Sequence, residues 1–155
     1  MIEIKKANIM DAEVLTEIAK KTFLDDNKLK PNNASKEGPP GHDNVDKQKK
    51  WIRSCFYYKA LYNKKVVGGG LAWKKNEDVF CIDGMYIDPE YQGKGIGSKL
   101  IEHLLQIHQP KKKWILETPS FSKRNHHFYE KYGFVRTKEV KNDIGWIDYH
   151  YEKNI

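Results

Sequence analysis

The sequence predicts an α+β fold: a mixed, mostly antiparallel central sheet of six or seven strands, helices on both faces, and one β-α-β unit in the middle. Three observations predict it. Short apolar segments alternate with clusters of Asn, Asp, Gly and Pro along the 155-residue chain. Longer segments repeat their apolar residues at the helical period. One of these, 95–108, separates two strand-like runs, 79–87 and 114–118, which a right-handed crossover would set parallel.

The elements follow in order. Met1 to Ala7 alternates as a strand. Asp11 is a candidate N-cap for a helix carrying Val14, Leu15, Ile18, Ala19 and Phe23. A polar stretch, Asp25 to Lys50, includes Pro31-Asn32-Asn33 and Gly38-Pro39-Pro40-Gly41. It is too long for an ordinary connection and reads as a functional lid or loop. A short helix, Val45 to Phe56, closes it. Tyr57–Tyr62 and Lys65–Trp73 form a hairpin around Asn63-Lys64, and Val79–Ile87 adds a third strand after the turn 74–78. The 95–108 helix has a broad apolar face of Ile96, Leu100, Ile101, Leu104, Leu105 and Ile107, and Pro110 ends it. Trp114–Thr118 is a short strand. Ser122–Tyr132 is a helix with Gly133 as its stop, and Phe134–Val140 and Trp146–Glu152 close the sheet as a hairpin.

Composition narrows the function. Hydrophobic residues at 39% argue a folded globule. Cys55 and Cys81 are far apart and outside any CxxC pattern, so neither a disulfide framework nor a zinc site is expected, and a reducing cytoplasm is the expected compartment. No run resembles a signal peptide or reaches the length of a membrane span. The net charge of +7 comes from lysines scattered at turns, Lys64-Lys65, Lys74-Lys75 and Lys111-Lys112-Lys113. Nucleic-acid readers gather charge on one face, so no nucleic-acid partner is expected; a small phosphorylated ligand needs only a few cations.

The stretch Tyr91-Gln92-Gly93-Lys94-Gly95-Ile96-Gly97-Ser98-Lys99 sets glycine at every second position before a helix. A helix N-terminus at the carboxyl end of a strand presents unpaired N–H groups and the positive end of the helix dipole. Glycines there let a phosphate approach the main chain. A P-loop is excluded, because Ser98 stands between Gly97 and Lys99; the dinucleotide fingerprint is excluded, because Ser98 replaces its last glycine. A tight strand-to-helix turn without ligand explains the glycines equally well on their own.

The wider pattern decides between these. Met85-Tyr86-Ile87-Asp88-Pro89-Glu90-Tyr91-Gln92-Gly93-Lys94-Gly95-Ile96-Gly97 resembles the cofactor-binding motif of the GNAT superfamily of N-acetyltransferases, with Gln92, Gly95 and Gly97 at its defining places. Downstream, Phe128-Tyr129-Glu130-Lys131-Tyr132-Gly133-Phe134 resembles that superfamily's FYEKxGF run. The resemblance implies one N-acetyltransferase domain over 1–155, with 25–50 on the acceptor side and a homodimer as a family expectation. It implies acetyl-coenzyme A as cosubstrate, wedged between 79–87 and 114–118 where the strands splay. Backbone amides of Met85, Tyr86 and Ile87 would face the thioester and pantetheine. The amides from Gln92 through Gly93, Lys94, Gly95, Ile96 and Gly97 to Ser98 would take the diphosphate, with the Gln92, Lys94 and Lys99 side chains nearby. Lys123 and Arg124 are candidates for the remaining phosphate, or plain solvated cations. Ser122, Asn125 and Phe128 complete the implied contacts, although Ser122 and Asn125 depart from the Asn and Ala that many members carry there.

Acetyl transfer to an amine needs a polarised carbonyl, a neutral amine and a proton for the departing thiolate. Asn125, Phe128, Tyr129 and Tyr132 share one helix face. The resemblance makes Tyr129 the general acid; the bland alternative is a packing tyrosine. Asp83 and Glu117 are the candidate bases, either of which could be an ordinary edge carboxylate, and His42 is a third, from the loop. His126 and His127 are adjacent, about 100° apart on a helix, so no metal site is expected. The expected function is acetyl transfer from acetyl-coenzyme A to a primary amine, with a small-molecule amine preferred over a protein N-terminus or lysine. The competitors are a non-catalytic acyl-coenzyme A sensor and a ribosome- or RNA-binding protein.

Overall fold

The computed structural model describes residues 1–26, 42–143 and 145–155. Its sheet has seven strands: β1 (Ile2–Lys6), β2 (Phe56–Tyr62), β3 (Lys65–Lys74), β4 (Val79–Ile87), β5 (Lys113–Pro119), β6 (Val135–Lys141) and β7 (Ile147–Asn154). Among the described residues four α-helices accompany them: α1 (Ala12–Asp26), α2 (Val45–Ser54), α3 (Ile96–Ile107) and α4 (Lys123–Lys131). The spatial order is β1-β2-β3-β4-β5-β7-β6, so the last strand inserts between β5 and β6. Among the described residues only β4 and β5 run parallel. The expected α+β architecture is the observed one.

Most boundaries fall within a residue or two of the expected ones; the first helix is a correction. Asp11 is not its N-cap. Asn8 caps a short 3-10 turn, Ile9–Asp11, accepting from Met10 N at 3.0 Å, while Asp11 accepts from Asn8 N at 2.8 Å. This reciprocal pair satisfies two orphan amides before α1 begins. Helix α1 runs through Asp26, so the expected loop starts later than Asp25, and its residues 27–41 lie outside the described residues. Val14 and Ile107, assigned to apolar faces, are exposed.

Two layers of helix sandwich the sheet. On one face Leu15, Ile18 and Ile52 of α1 and α2 pack on Tyr57, Leu71 and Tyr86. On the other, Ile101 and Leu104 of α3 and Tyr129 of α4 pack on Ile82, Trp114, Leu116 and Tyr151. Leu100, Ile101 and Leu104 are fully buried, each contributing about 1.5–3 kcal/mol over an exposed position. Strand β4 and helices α1 and α3 all crowd β3 at Gly68-Gly69-Gly70. A Cβ on Gly68 would lie 2.6 Å from Tyr86 O, and one on Gly70 2.9 Å from Leu100 Cδ2.

Two irregularities shape the middle of the sheet. Leu71 pairs with Gly84 and Ala72 with Ile82, so Asp83 is an extra residue on β4. This bulge reverses which face the later side chains meet. Ile82 packs under α3, whereas Tyr86, four residues on, packs under α1. Close by, β4 and β5 stay paired over three positions only, Val79 with Lys113, Phe80 with Trp114 and Cys81 with Ile115. Beyond Cys81 the two strands part, while β5 remains paired to β7 as far as Pro119.

Candidate active site

The seam between β4 and β5 leads to the N-terminus of α3. Gly95 is the N-cap of α3, with φ of 82°, and as a glycine it makes no side-chain cap. Its carbonyl receives Lys99 N at 3.2 Å. The amides of Ile96, Gly97 and Ser98 precede the first intrahelical bond and point out of the helix end. Gly93, with φ of 80°, shares the left-handed geometry, and open space stands where either residue would carry a Cβ. A left-handed turn without side chains, opening onto bare helical amides, fits a diphosphate.

The structure gathers most of the sequence-identified residues around this seam. Met85 packs against the α3–α4 core, and Ile96 is buried, so Ile96 has only its amide to offer. Tyr86 turns away. Its hydroxyl bonds Tyr57, which donates to Gln48 Oε1 at 2.6 Å, and Gln48 Nε2 donates to His42 O at 3.0 Å. Burial pushes both tyrosine hydroxyls well up. The Ile87 carbonyl accepts from Thr22 Oγ1 and from Gln92 Nε2 at 3.1 Å. Gln92 Oε1 in turn accepts from Arg124 at 2.8 Å, tying the end of β4 to the first turn of α4. Lys94 lies over the Tyr62 ring, and Lys94, Lys99 and Lys123 are exposed.

Helix α4 forms the other wall. Ser122 is buried at its N-cap with no side-chain capping bond, and Asn125 Nδ2 reaches Thr118 Oγ1 at 3.4 Å. Phe128 lies under Gly97, whose added Cβ would be 3.6 Å from the ring. Tyr129 is 8% exposed, among Phe128, Phe134 and residues of both β4 and β5. No described residue hydrogen-bonds its hydroxyl, and burial raises its proton affinity strongly. The helix ends in a Schellman motif: Phe134 N donates to Tyr129 O at 3.2 Å, Gly133 N to Glu130 O at 3.0 Å, and Gly133 has φ of 90°.

Asp83 and Glu117 face each other's strands across the seam, on the side away from the α3–α4 core. Asp83 is open to solvent by area, yet the protein crowding its carboxyl raises it above the usual carboxylate range, and the charge of Glu117 adds to this. Glu117 also meets His150 of β7, at 3.5 Å. His42, the loop candidate, packs edge-on against Phe23, outside this group. His126 bonds the Pro119 carbonyl at 2.9 Å and lies against Tyr149.

The profile of the acetyltransferase (GNAT) family matches residues 20–134. The chain belongs to the GNAT family of acetyltransferases. It is an acetyl-coenzyme A-dependent acyltransferase. Solved GNAT structures resemble it along its whole length. The PaiA N-acetyltransferase from Thermoplasma acidophilum, in complex with coenzyme A, is 20% identical, with TM-score 0.84 over 100% of this chain and 99% of that one. Ard1 from Thermoplasma volcanium is 21% identical, with TM-score 0.77 over 99% and 97%. The ribosomal-protein-S18-alanine N-acetyltransferase from Escherichia coli is 16% identical, with TM-score 0.75 over 100% and 94%. No curated protein sequence matches the chain. Among the described residues no helix is long and apolar enough to cross a membrane.

Proposed function

We propose that this GNAT protein transfers acetyl from acetyl-coenzyme A to a primary amine of a small molecule, with Tyr129 as general acid and Asp83 or Glu117 taking the amine's proton. The observation that carries the reading is the Tyr129 hydroxyl: buried beside both splayed strands, with no partner among the described residues. A buried hydroxyl ordinarily finds a partner. A thioester sulfur in the seam would supply one.

Each group has one task. The amides of Ile96 to Ser98 hold the diphosphate, and the Ser122 hydroxyl faces the pantetheine. Amides of β4 past Cys81, released from β5, polarise the thioester carbonyl; one such donor aimed at a developing oxyanion is worth about 3 kcal/mol. The carboxylate takes a proton from the ammonium, directly or through water. The freed nitrogen attacks the carbonyl carbon, the carbon–sulfur bond breaks, and Tyr129 protonates the thiolate. The nitrogen, cationic once it has attacked, gives up its second proton, which replaces the one Tyr129 has donated; the proton taken by the carboxylate is the one that leaves per amide formed. Asp83's raised proton affinity makes it a better base.

Cys55 and Cys81 are free, and burial, then the charges of Asp83 and Glu117, push the Cys81 thiol up to about 12. Two unpaired cysteines are what a reducing, cytoplasmic setting would leave.

The test is thiol release with a panel of amines, comparing Tyr129→Phe with the parent. A loss of about 100-fold in kcat with coenzyme A affinity retained is the expected result. Full activity in the variant removes Tyr129 from the mechanism. Coenzyme A binding without release from any amine favours the sensor.

A further inference from the structure

Past Ile115, Glu117 is held in the sheet from the β7 side alone, because the β4 rungs have ended. Its direct partner across the β5–β7 ladder is His150. The imidazole is the more enclosed of the two, and its Nε2 stands 3.5 Å from Glu117 Oε1. On the opposite side of Glu117 lie Asp83 and Cys81 of β4, both of which feel its charge. A carboxylate beside a second carboxylate tends to protonate or to swing into water; an N–H donor opposes both.

We propose that His150 is a positioning residue for acetyl transfer. Its Nε2 stands against one oxygen of Glu117 and so orients that carboxylate toward the seam where the acceptor loses a proton. The inference rests on reading Glu117 as the proton acceptor. An exposed pair adds little to folding stability, so removing it leaves the fold in place and alters where the carboxylate stands. Small displacements of a reacting group cost rate heavily.

Thiol release from acetyl-coenzyme A is measured with spermidine, tyramine and glycinamide across pH 6–9, and coenzyme A affinity by calorimetry. His150→Ala is expected to lower kcat/KM for the amine about tenfold and move the acid limb of its pH profile upward, with KM for acetyl-coenzyme A and coenzyme A affinity within about twofold of the parent. His150→Gln, which keeps an N–H donor, is expected to recover most of the loss. Glu117→Gln is expected to lose about 100-fold. If Glu117→Gln is impaired and His150→Ala is not, this inference fails alone. If His150→Ala and His150→Gln fall equally and the pH profile stays put, the role is structural and the inference fails. Full activity in Glu117→Gln, or no turnover of any amine by the parent, overturns the reading beneath it as well.

Discussion

Gln92 accepts a 2.8 Å hydrogen bond from Arg124 while its amide nitrogen holds the Ile87 carbonyl. The residue that opens the glycine turn is therefore occupied by protein on both sides, and the cation it steadies stands at the head of α4. Replacing Arg124 with Ala should weaken coenzyme A about three- to tenfold, in line with losing one charge-assisted contact. Gln92→Ala should weaken it similarly, and the double variant should fall short of the sum, because both act through one guanidinium. Additive losses in calorimetry would separate the two residues.

The glycines of the turn are not equivalent. Gly95→Ala forces a left-handed backbone on a residue with a Cβ, costing about 1–2 kcal/mol. Coenzyme A affinity should fall with it. Gly97→Ala places a methyl at ordinary contact distance from Phe128 inside a helix. Urea unfolding should find that variant at least as stable as the parent, and a loss above 1 kcal/mol would contradict the assigned packing.

Gly68→Ala should be the most damaging substitution in β3. Its methyl would meet the Tyr86 backbone carbonyl at 2.6 Å, where no side chain can rotate aside. A cost of about 2–3 kcal/mol is expected from overpacking against main chain. Gly70→Ala, whose methyl meets the Leu100 and Met85 side chains and no main chain, should cost less. The reverse order in denaturant midpoints would contradict this.

The far end of α3 gives the protein a pH response. His108 stacks on Phe56 at 3.9 Å and bonds Tyr58 at 2.8 Å. Burial, and then the charge of His103, hold its proton affinity down; burial alone does so for His103. Below about pH 6.5 the unfolded chain takes up protons that the folded one refuses. Unfolding then binds protons, so stability falls as pH drops through that value and levels once the folded imidazoles also titrate. His108→Gln should flatten this fall between pH 7 and 5. Parallel curves for parent and variant would assign it elsewhere.

Much of the architecture was legible because it is written in period and punctuation. Every strand and α-helix of the described residues was found, and Gly133 stops α4 as its place in the sequence suggested. The family followed from two motifs in the right order. What escaped was long-range. The insertion of β7 beside β5, and hence the meeting of Glu117 with His150, depends on pairing between residues 33 positions apart. The bulge at Asp83 leaves no mark in composition, since an alternating pattern looks the same whether or not its partner strand skips a residue. Gly68-Gly69-Gly70 read as a plain strand because the need for glycine lies in Tyr86 and Leu100, on other elements. Asn8 and Asp11 are both good caps by residue type, and only the backbone decides between them.

A seven-stranded sheet fastened across its centre by three rungs is mechanically two sheets. Four strands on one flank and three on the other are joined there by these rungs and by the core under α3 and α4, and a molecule spanning both flanks would add to that cohesion. The cosubstrate, on this view, doubles as a brace, and the loaded protein should be stiffer and melt later than the empty one along this one line of weakness.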